Sequence, residues 1–412
     1  MTIRRVAVTG LGIVSPLGNT PDEFFSGLMA GKSGIGRLKA DFVDRLDTKI
    51  AAQCEFDALA HFGKHKSSTL DRVSQFALYA ASQAIADAGL DLESEDKSRI
   101  GVYLGTGMGG AASVEEGYVR LYRDGAERLK PFTVLMAMNN AAASAIGLEY
   151  GLTGSNLTFS TACSSSSVSI GEAFQQVRHG YADVMLAGGA EALLTFGTIK
   201  AWEALRALAS EDKDDPAASC KPFAGNRTGL VLGEGAAIVV LEDMERAKAR
   251  GATIYAELSG YGSGNDCSHI TQPSPEGQAR AIRAALQCAG LKPEDIGYIN
   301  AHGTATPLND PAETAAIKLA FGEHAPKIPV SSTKSMHGHI MGATAAVEFV
   351  ACVQALRNGA VPPTMNLNTP DPACDLDYVP NKGRTNVPLR HVMSNSFAFG
   401  GTSGVLIASK AD

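Results

Sequence analysis

Cys163, His302 and His339, the last preceded by Lys334, are the positions whose types and surroundings suit chemistry on a carbonyl. Cys163 lies in the run NLTFSTACSSSSVSIGEAFQQVRHG, residues 156 to 180. Leu157 and Phe159 alternate as in a strand, and Val168, Ile170, Ala173, Phe174 and Val177 recur at helical spacing. The stretch therefore predicts a strand, a sharp turn and a helix, with the thiol at the turn. Unpaired backbone N–H groups and the positive end of the helix dipole favour a thiolate there. The same N–H groups can stabilise an oxyanion when the thiolate attacks. The small neighbours Ala162 and Ser164 to Ser167 leave room for a substrate. A free cysteine is more often a small buried hydrophobe, and a lone histidine is more often structural. Here His302-Gly303 follows the strand-like Ile296 to Asn300, and Thr333-Lys334-Ser335-Met336-His337-Gly338-His339 follows Ile328 to Ser332. A thiol and two imidazoles at three comparable strand ends point to nucleophilic acyl chemistry. The surroundings of Cys163 are not those of papain-like Cys-His enzymes.

The elements that must position these groups alternate between strand and helix. Arg5 to Thr9 reads as a buried strand ended by Gly10-Leu11-Gly12, and Asp183 to Ala187 as another ended by Gly188-Gly189. Ile100 to Leu104, Gly235 to Glu242, Tyr255 to Gly260 and Ile296 to Asn300 are further strands. Helices are predicted from Pro21 to Met29, from Leu70 to Ala88 with Gly89 as its C-cap, through an Ala-rich stretch 133–150, from Pro275 to Ala289 and from about Ala343 to Leu356. Residues 32–66 lack periodicity and predict surface excursions, residues 208–229 predict a long loop, and Glu115 to Leu129 reads helical.

TFSTACSSSSVSIGEAFQQVRHG and VSSTKSMHGHIMGATAAVEFVACVQALRNG share one plan: strand, Ser/Thr turn, apolar helix, basic-x-Gly. The helices 70–89 and 275–290 both end in Ala-Gly-Leu. The similarity predicts an α/β chain of two related halves, 1–250 and 251–412, each a sheet covered by helices. Packed together, the halves would bring their strand-end turns to one crevice, with Cys163 facing His302 and Lys334 to His339.

Composition limits the alternatives. The chain of 412 residues, 45% hydrophobic, can bury a large core, and its formal charge of −7 argues against general nucleic-acid binding. Seven cysteines without CxxC spacing disfavour a disulfide framework and a zinc site, so no metal is expected. The segment MTIRRVAVTG lacks the apolar run of a signal peptide, and no stretch approaches the length of a membrane span. The expectation is a protein of the reducing cytoplasm. Gly105-Thr106-Gly107-Met108-Gly109-Gly110 formally fits a dinucleotide-binding GxGxxG, but no second strand with a terminal acid follows, so cofactor binding is rejected.

Ser160 to Ser165 (STACSS), His302-Gly303-Thr304-Ala305-Thr306 and Lys334 to His339 resemble the three active-site motifs of β-ketoacyl-acyl carrier protein synthases. Asn395 to Thr402 (NSFAFGGT) is similar to their C-terminal glycine loop. The resemblance spans nearly the whole chain and is closest to the elongating synthase II type. It implies a thiolase fold layered α-β-α-β-α and decarboxylative Claisen condensation. It also implies an acyl carrier protein as partner, and a homodimer or a heterodimer with a homologous ketosynthase-like subunit. No cofactor of the chain's own is implied, since phosphopantetheine arrives on the carrier.

On this resemblance Cys163 is the acylated nucleophile, His302 and His339 stabilise the malonyl-derived enolate, and Lys334 organises the site. Glu348 is expected to pair with Lys334, and Asp310 and Glu313 to make structural pairings. Phe399 supplies an oxyanion N–H and gates the site, with Gly400 and Gly401 giving its loop freedom; Thr304 and Thr306 bind the pantetheine arm. Arg206 and Lys64, with Lys66, are the expected carrier-docking cations. Three positions depart from the family pattern: His337 stands where Thr is usual, while Asn309 and Ala398 each replace Gly. Lys200 to Leu208 and His269-Ile270-Thr271 also resemble nodulation-type and polyene-type ketosynthases, which suggests a dedicated pathway and a chain-length-factor homologue as the alternative partner. A non-catalytic partner subunit would lack the nucleophile, and a thiolase would carry a second cysteine in place of the second histidine.

Overall fold

The structure, a computed structural model, describes residues 3–411. Ten strands join in one sheet: β1 (Val6–Val14), β2 (Ile100–Gly105), β3 (Asn156–Phe159), β4 (Val184–Glu191), β5 (Gly235–Asp243), β6 (Ala256–Asn265), β7 (Tyr298–Asn300), β8 (Val330–Ser331), β9 (His391–Phe397) and β10 (Thr402–Ser409). Read outward from the centre, one side runs β1-β5-β4-β2-β3 and the other β6-β10-β9-β7-β8. The two orders are the same with an offset of five. In each, the first two pairings are antiparallel and the last two parallel. Among the described residues, the sides meet only where Ala7 and Val8 pair with Glu257 and Ala256.

Six helices frame the site: α1 (Arg72–Asp87), α2 (Ser165–Arg178), α3 (Phe196–Leu205), α4 (Pro275–Ala289), α5 (Asn309–Phe321) and α6 (Thr344–Asn358). Helix α1 covers β1 and β5 from outside, and α4 covers β6 and β10. Helices α2 and α6 lie between the two half-sheets, α2 touching β4, β2 and β10, and α6 touching β9 and β5. The result is the α-β-α-β-α layering. Helix α6 is buried on every side from Thr344 to Leu356, as expected of a helix whose only charged residue before its last turn is Glu348.

Several elements differ from the sequence-based expectation. β1 and β4 do not end at their glycines; they run through Gly10, Gly12, Gly188 and Gly189. Those glycines mark close approach. A Cβ on Gly12 would sit 1.9 Å from the Ala80 carbonyl oxygen of α1, and one on Gly10 2.2 Å from that of Ala84. With no side chains in the way, α1 presses its alanines directly on β1. Residues 32–66 are not a mere surface excursion. Ile35–Arg37 and Ile50–Ala52 form a small antiparallel hairpin with Ile35, Ile50 and Ala52 buried, and Ala58–Ser67 is helical. The helix expected from Glu115 stops at Tyr118 and continues as a short π-helical turn, Val119–Arg123. The 133–150 stretch is two helices, Thr133–Ala137 and Ala141–Tyr150.

Gly12→Ala is expected to lower the unfolding free energy by about 1–3 kcal/mol in chemical denaturation, because the added methyl meets backbone rather than a side chain. Gly36 is the control, since a methyl added there would find nothing within 4 Å. Gly36→Ala is expected to change stability by no more than about 0.5 kcal/mol.

Candidate active site

The thiol sits where β3 ends. Ala162 takes a left-handed φ of 51°, Ala162–Ser164 make a single 3₁₀ turn, and α2 begins at Ser165. Ser165 locks this corner: its Oγ accepts from the Thr161 N–H at 2.9 Å and donates to the Ala162 carbonyl at 2.6 Å. The other side of the molecule repeats the device. After β8 come the short helix Lys334–His337 and Gly338 at φ 67°, then Met341 at φ 43° opens the 3₁₀ turn Met341–Ala343 that leads into α6. The Ala346 N–H donates to Ser166 Oγ at 2.9 Å and joins the two helices.

Cys163, His302 and His339 are all buried and offer donor atoms within 4.8 Å of one another. The two imidazoles meet edge to face, 5.5 Å between centroids at 86°. They close one end of a cavity of about 300 Å³ that Thr304, Thr306, Asn309 and Phe399 also line. Leu205, Arg206, Ile270 and Leu308, all exposed, line the same cavity and mark its rim. Lys64 lies on the exposed Ala58–Ser67 helix and is not part of the lining, and Lys66 on that helix pairs with Glu149 at 2.6 Å.

The two histidines are held differently, His339 through its ring and His302 through its backbone. The Met341 N–H donates to His339 Nδ1 at 3.1 Å, so Nδ1 is an acceptor and the ring proton belongs on Nε2, which has no partner among the described residues. Thr344 Oγ1 lies 2.9 Å from the same Nδ1. His302 is fixed through its backbone: Glu313 accepts from the His302 and Gly303 N–H groups at 2.8 and 2.7 Å, and Lys334 Nζ donates to the His302 carbonyl. Lys334 is fully buried and also donates to Glu348 Oε1 at 2.6 Å. Asp310 accepts from the Phe223 N–H at 2.8 Å and stands 3.9 Å from Arg227. Asn309 Nδ2 reaches Glu313 at 3.4 Å and so adds a donor to the carboxylate that holds His302. Thr304 and Thr306 hydroxyls are 2.9 Å apart.

Burial, and then the Lys334 charge, push both His302 and His339 well below the usual imidazole range, so both are neutral near pH 7. Burial pushes the Cys163 thiol up to about 11, while Lys334 and the N–H groups of Phe399 and Cys163 itself pull it down. Burial thus opposes the thiolate that the helix end favours. His337 does not join the site. It is buried with Nε2 2.9 Å from Thr333 Oγ1 and its ring 6.0 Å from Phe24.

Sequence reasoning overlooked Glu191, the last residue of β4. Its buried carboxylate accepts from the N–H groups of Gly107 (2.6 Å), Met108 (3.3 Å) and Gly342 (2.9 Å) and from Thr106 Oγ1 (3.1 Å). This ties the loop after β2 to the turn after His339. It also fills the GxGxxG loop with the chain's own carboxylate, in the place a phosphate would take. Burial pushes the Glu191 carboxyl up to about 7 while these donors pull it down. An acid closing an apolar strand after Gly188-Gly189 was the available signal. Glu191→Gln turns an amide NH₂ toward these donors; an unmatched buried donor costs about 1–3 kcal/mol, and denaturant unfolding is expected to show that loss.

Residues 3–247 match the family described as the β-ketoacyl synthase N-terminal domain, and residues 255–368 its C-terminal domain. The 3-oxoacyl-[acyl-carrier-protein] synthase 2 of Coxiella burnetii is 44% identical, covering 100% of this chain and 99% of that protein. Two solved structures superpose over all of both chains with a TM-score of 0.92. One is a ketosynthase bound to the hexaketide in complex with its type II polyketide acyl-carrier protein, at 37% identity. The other is the ishigamide ketosynthase/chain length factor, at 34% identity. With thiol, imidazoles and buried lysine on one scaffold of this topology, the chain belongs to the β-ketoacyl synthase family, a family of condensing acyltransferases.

Proposed function

We propose that this chain elongates carrier-bound acyl groups, with the 1–250 half supplying the nucleophile and the 251–412 half the imidazoles. The observation that carries the reading is the convergence of buried Cys163, His302 and His339, whose donor atoms lie within 4.8 Å of one another, with the two imidazoles edge to face at the end of one cavity. In the first step Cys163 gives its proton to a neighbouring imidazole as its Sγ attacks an acyl thioester; the bond to the carrier sulfur breaks, the carrier thiol leaves with that proton and acyl-Cys163 forms. The N–H groups of Cys163 and Phe399 stabilise the tetrahedral oxyanion. In the second step a malonyl thioester enters and its carboxylate departs as CO₂, leaving the bonding pair on the enolate. Nε2–H of His339 and the imidazole of His302 donate to the thioester oxygen that takes up this charge. In the third step the carbanion attacks the acyl carbonyl and expels Cys163 thiolate.

Thr304 and Thr306 line the cavity where a pantetheine arm would pass, and Lys334 with Glu348, Asp310 and Glu313 keep the two strand-end turns in place. Phe399 gates the site on the Gly400 hinge, and Arg206 at the rim meets an acidic carrier protein, with Lys64 as an outlying contact. No metal and no cofactor beyond the carrier's phosphopantetheine take part in this scheme. Among the described residues, edge strand β3 is unpaired on its outer side, and Leu157 on it and Phe132, Val134, Leu135 and Met138 nearby in sequence are exposed. Such an open edge with apolar side chains suits a second subunit, a copy of this chain or a homologous ketosynthase-like protein. Among the described residues no helix is long and apolar enough to cross a membrane, and we place the protein in the cytoplasm.

A second reading assigns the chain to a specialised pathway beside a chain-length-factor homologue. The likeness to the two polyketide-type structures favours it.

Intact mass after mixing with acyl carrier protein tests the proposal. Wild type is expected to gain the acyl mass and Cys163→Ala none. His339→Ala is expected to acylate but to release CO₂ from malonyl carrier protein about 10²–10³-fold more slowly, the usual loss for one oxyanion donor. Acylation of Cys163→Ala, or undiminished CO₂ release by His339→Ala, contradicts it. Condensation of ordinary saturated chains at full efficiency by the purified chain alone counts against the second reading.

A further inference from the structure

Thr304 and Thr306, whose hydroxyls are 2.9 Å apart on the cavity wall, flank Ala305. Ala305 is fully buried at a left-handed φ of 63°. A residue with a Cβ keeps that conformation only where its surroundings fix it, and ligand clamps are one place where they do. Ahead of Ala305, Glu313 accepts from the Gly303 N–H at 2.7 Å and Ser332 Oγ donates to the Gly303 carbonyl at 2.7 Å. Beyond it stands Arg227, from the stretch 208–229, with a side chain only 6% exposed. Its Nε donates to the Thr306 carbonyl at 2.9 Å and its Nη2 to the Pro307 carbonyl at 3.1 Å. Nη1 donates to the Ala224 carbonyl at 2.9 Å and to Asp371 Oδ2 at 2.5 Å. All three nitrogens are engaged. The planar fork holds two successive carbonyls of the wall, while Asp371, and Asp310 at 3.9 Å, balance its charge. Thr304, Thr306 and Pro307 line the cavity, and Arg227 does not.

We propose that Arg227 is a positioning residue for the carrier's phosphopantetheine arm: by clamping the Thr306 and Pro307 carbonyls it keeps the two threonine hydroxyls in the geometry the arm needs. This deepens the proposed function and rests on its reading of Thr304 and Thr306 as partners of the arm. Arg227 touches no reacting atom and acts through the wall. A site held ready in this way spends less of its binding energy on ordering itself when the arm enters. A lysine at 227 would keep a cation beside Asp371 and Asp310. As a point donor on a flexible stem it would not hold both carbonyls in one plane. The wall would then relax, and binding of carrier-borne substrates would weaken without any change at Cys163, His302 or His339.

The test separates binding from chemistry on the intact enzyme. In Arg227→Lys, KM for acyl carrier protein and for malonyl carrier protein is expected to rise about two- to tenfold, the span of one lost hydrogen bond. Two readouts are expected to stay at wild-type values: kcat, and the rate at which iodoacetamide, which carries no such arm, alkylates Cys163, followed by the mass of the Cys163 peptide. General damage to the fold would instead lower kcat and disturb alkylation. An unchanged KM, or a fall in kcat or in alkylation as large as the rise in KM, overturns the proposal. Thr304→Val combined with Thr306→Val tests the reading beneath it. If KM stays at the wild-type value in that double variant, the threonines do not hold the arm and the reading itself fails. If KM rises there and not in Arg227→Lys, only the positioning by Arg227 fails.

Discussion

One buried ammonium organises this molecule. Lys334 reaches from the turn after β8 to Glu348 on α6 and to the carbonyl of His302 after β7. It thereby joins two strand ends and the central helix through a single charge. Its field depresses His302 and His339 further than burial alone does, and pulls the Cys163 thiol down against burial. Burial pushes the Glu348 carboxyl up to about 7, and Lys334 holds it down. Such a pair depends on both members: removing one leaves an uncompensated charge and typically costs about 3–5 kcal/mol. Neutral imidazoles beside a fixed cation are suited to donating hydrogen bonds to a forming enolate without competing for its charge.

The duplicated topology explains why the charge can act where it does. In each half one parallel strand, β3 or β8, leads on to a left-handed residue, a 3₁₀ turn and a buried helix. Cys163 and Gly342 hold matching places in these turns. The first carries the buried thiol, and the other leaves its N–H to Glu191, whose carboxylate also gathers the loop after β2. The seam between the half-sheets carries two residue pairs among the described residues, so α2 and α6, joined through Ser166, provide most of the connection.

Much of this was legible in the chain. Cys163, His302 and Lys334 each follow an apolar strand and open a polar turn, and the internal likeness of the two strand–turn–helix stretches anticipated comparable surroundings. The misreadings share one cause, the use of local signals where a distant neighbour decides. Gly10 and Gly12 read as strand breakers, but the carbonyls of Ala80 and Ala84 require them inside the strand. The three-residue strands at Ile35 and Ile50 are too short to show alternation. Glu191 gains meaning only from N–H groups at 107 and 342. A helix end alone favours a thiolate at Cys163, whereas burial opposes it.

Whether the site presents neutral imidazoles, with the His339 proton on Nε2, is open to direct measurement by ¹⁵N NMR of ring-labelled histidines between about pH 5.5 and 8, a window that brackets the ordinary imidazole pKa. His302 and His339 are expected to stay neutral across this range, and His339 to show the Nε2–H tautomer with Nδ1 accepting from Met341. A ring that titrates near the ordinary value of about 6.5, or a His339 protonated on Nδ1, would contradict this picture of the site.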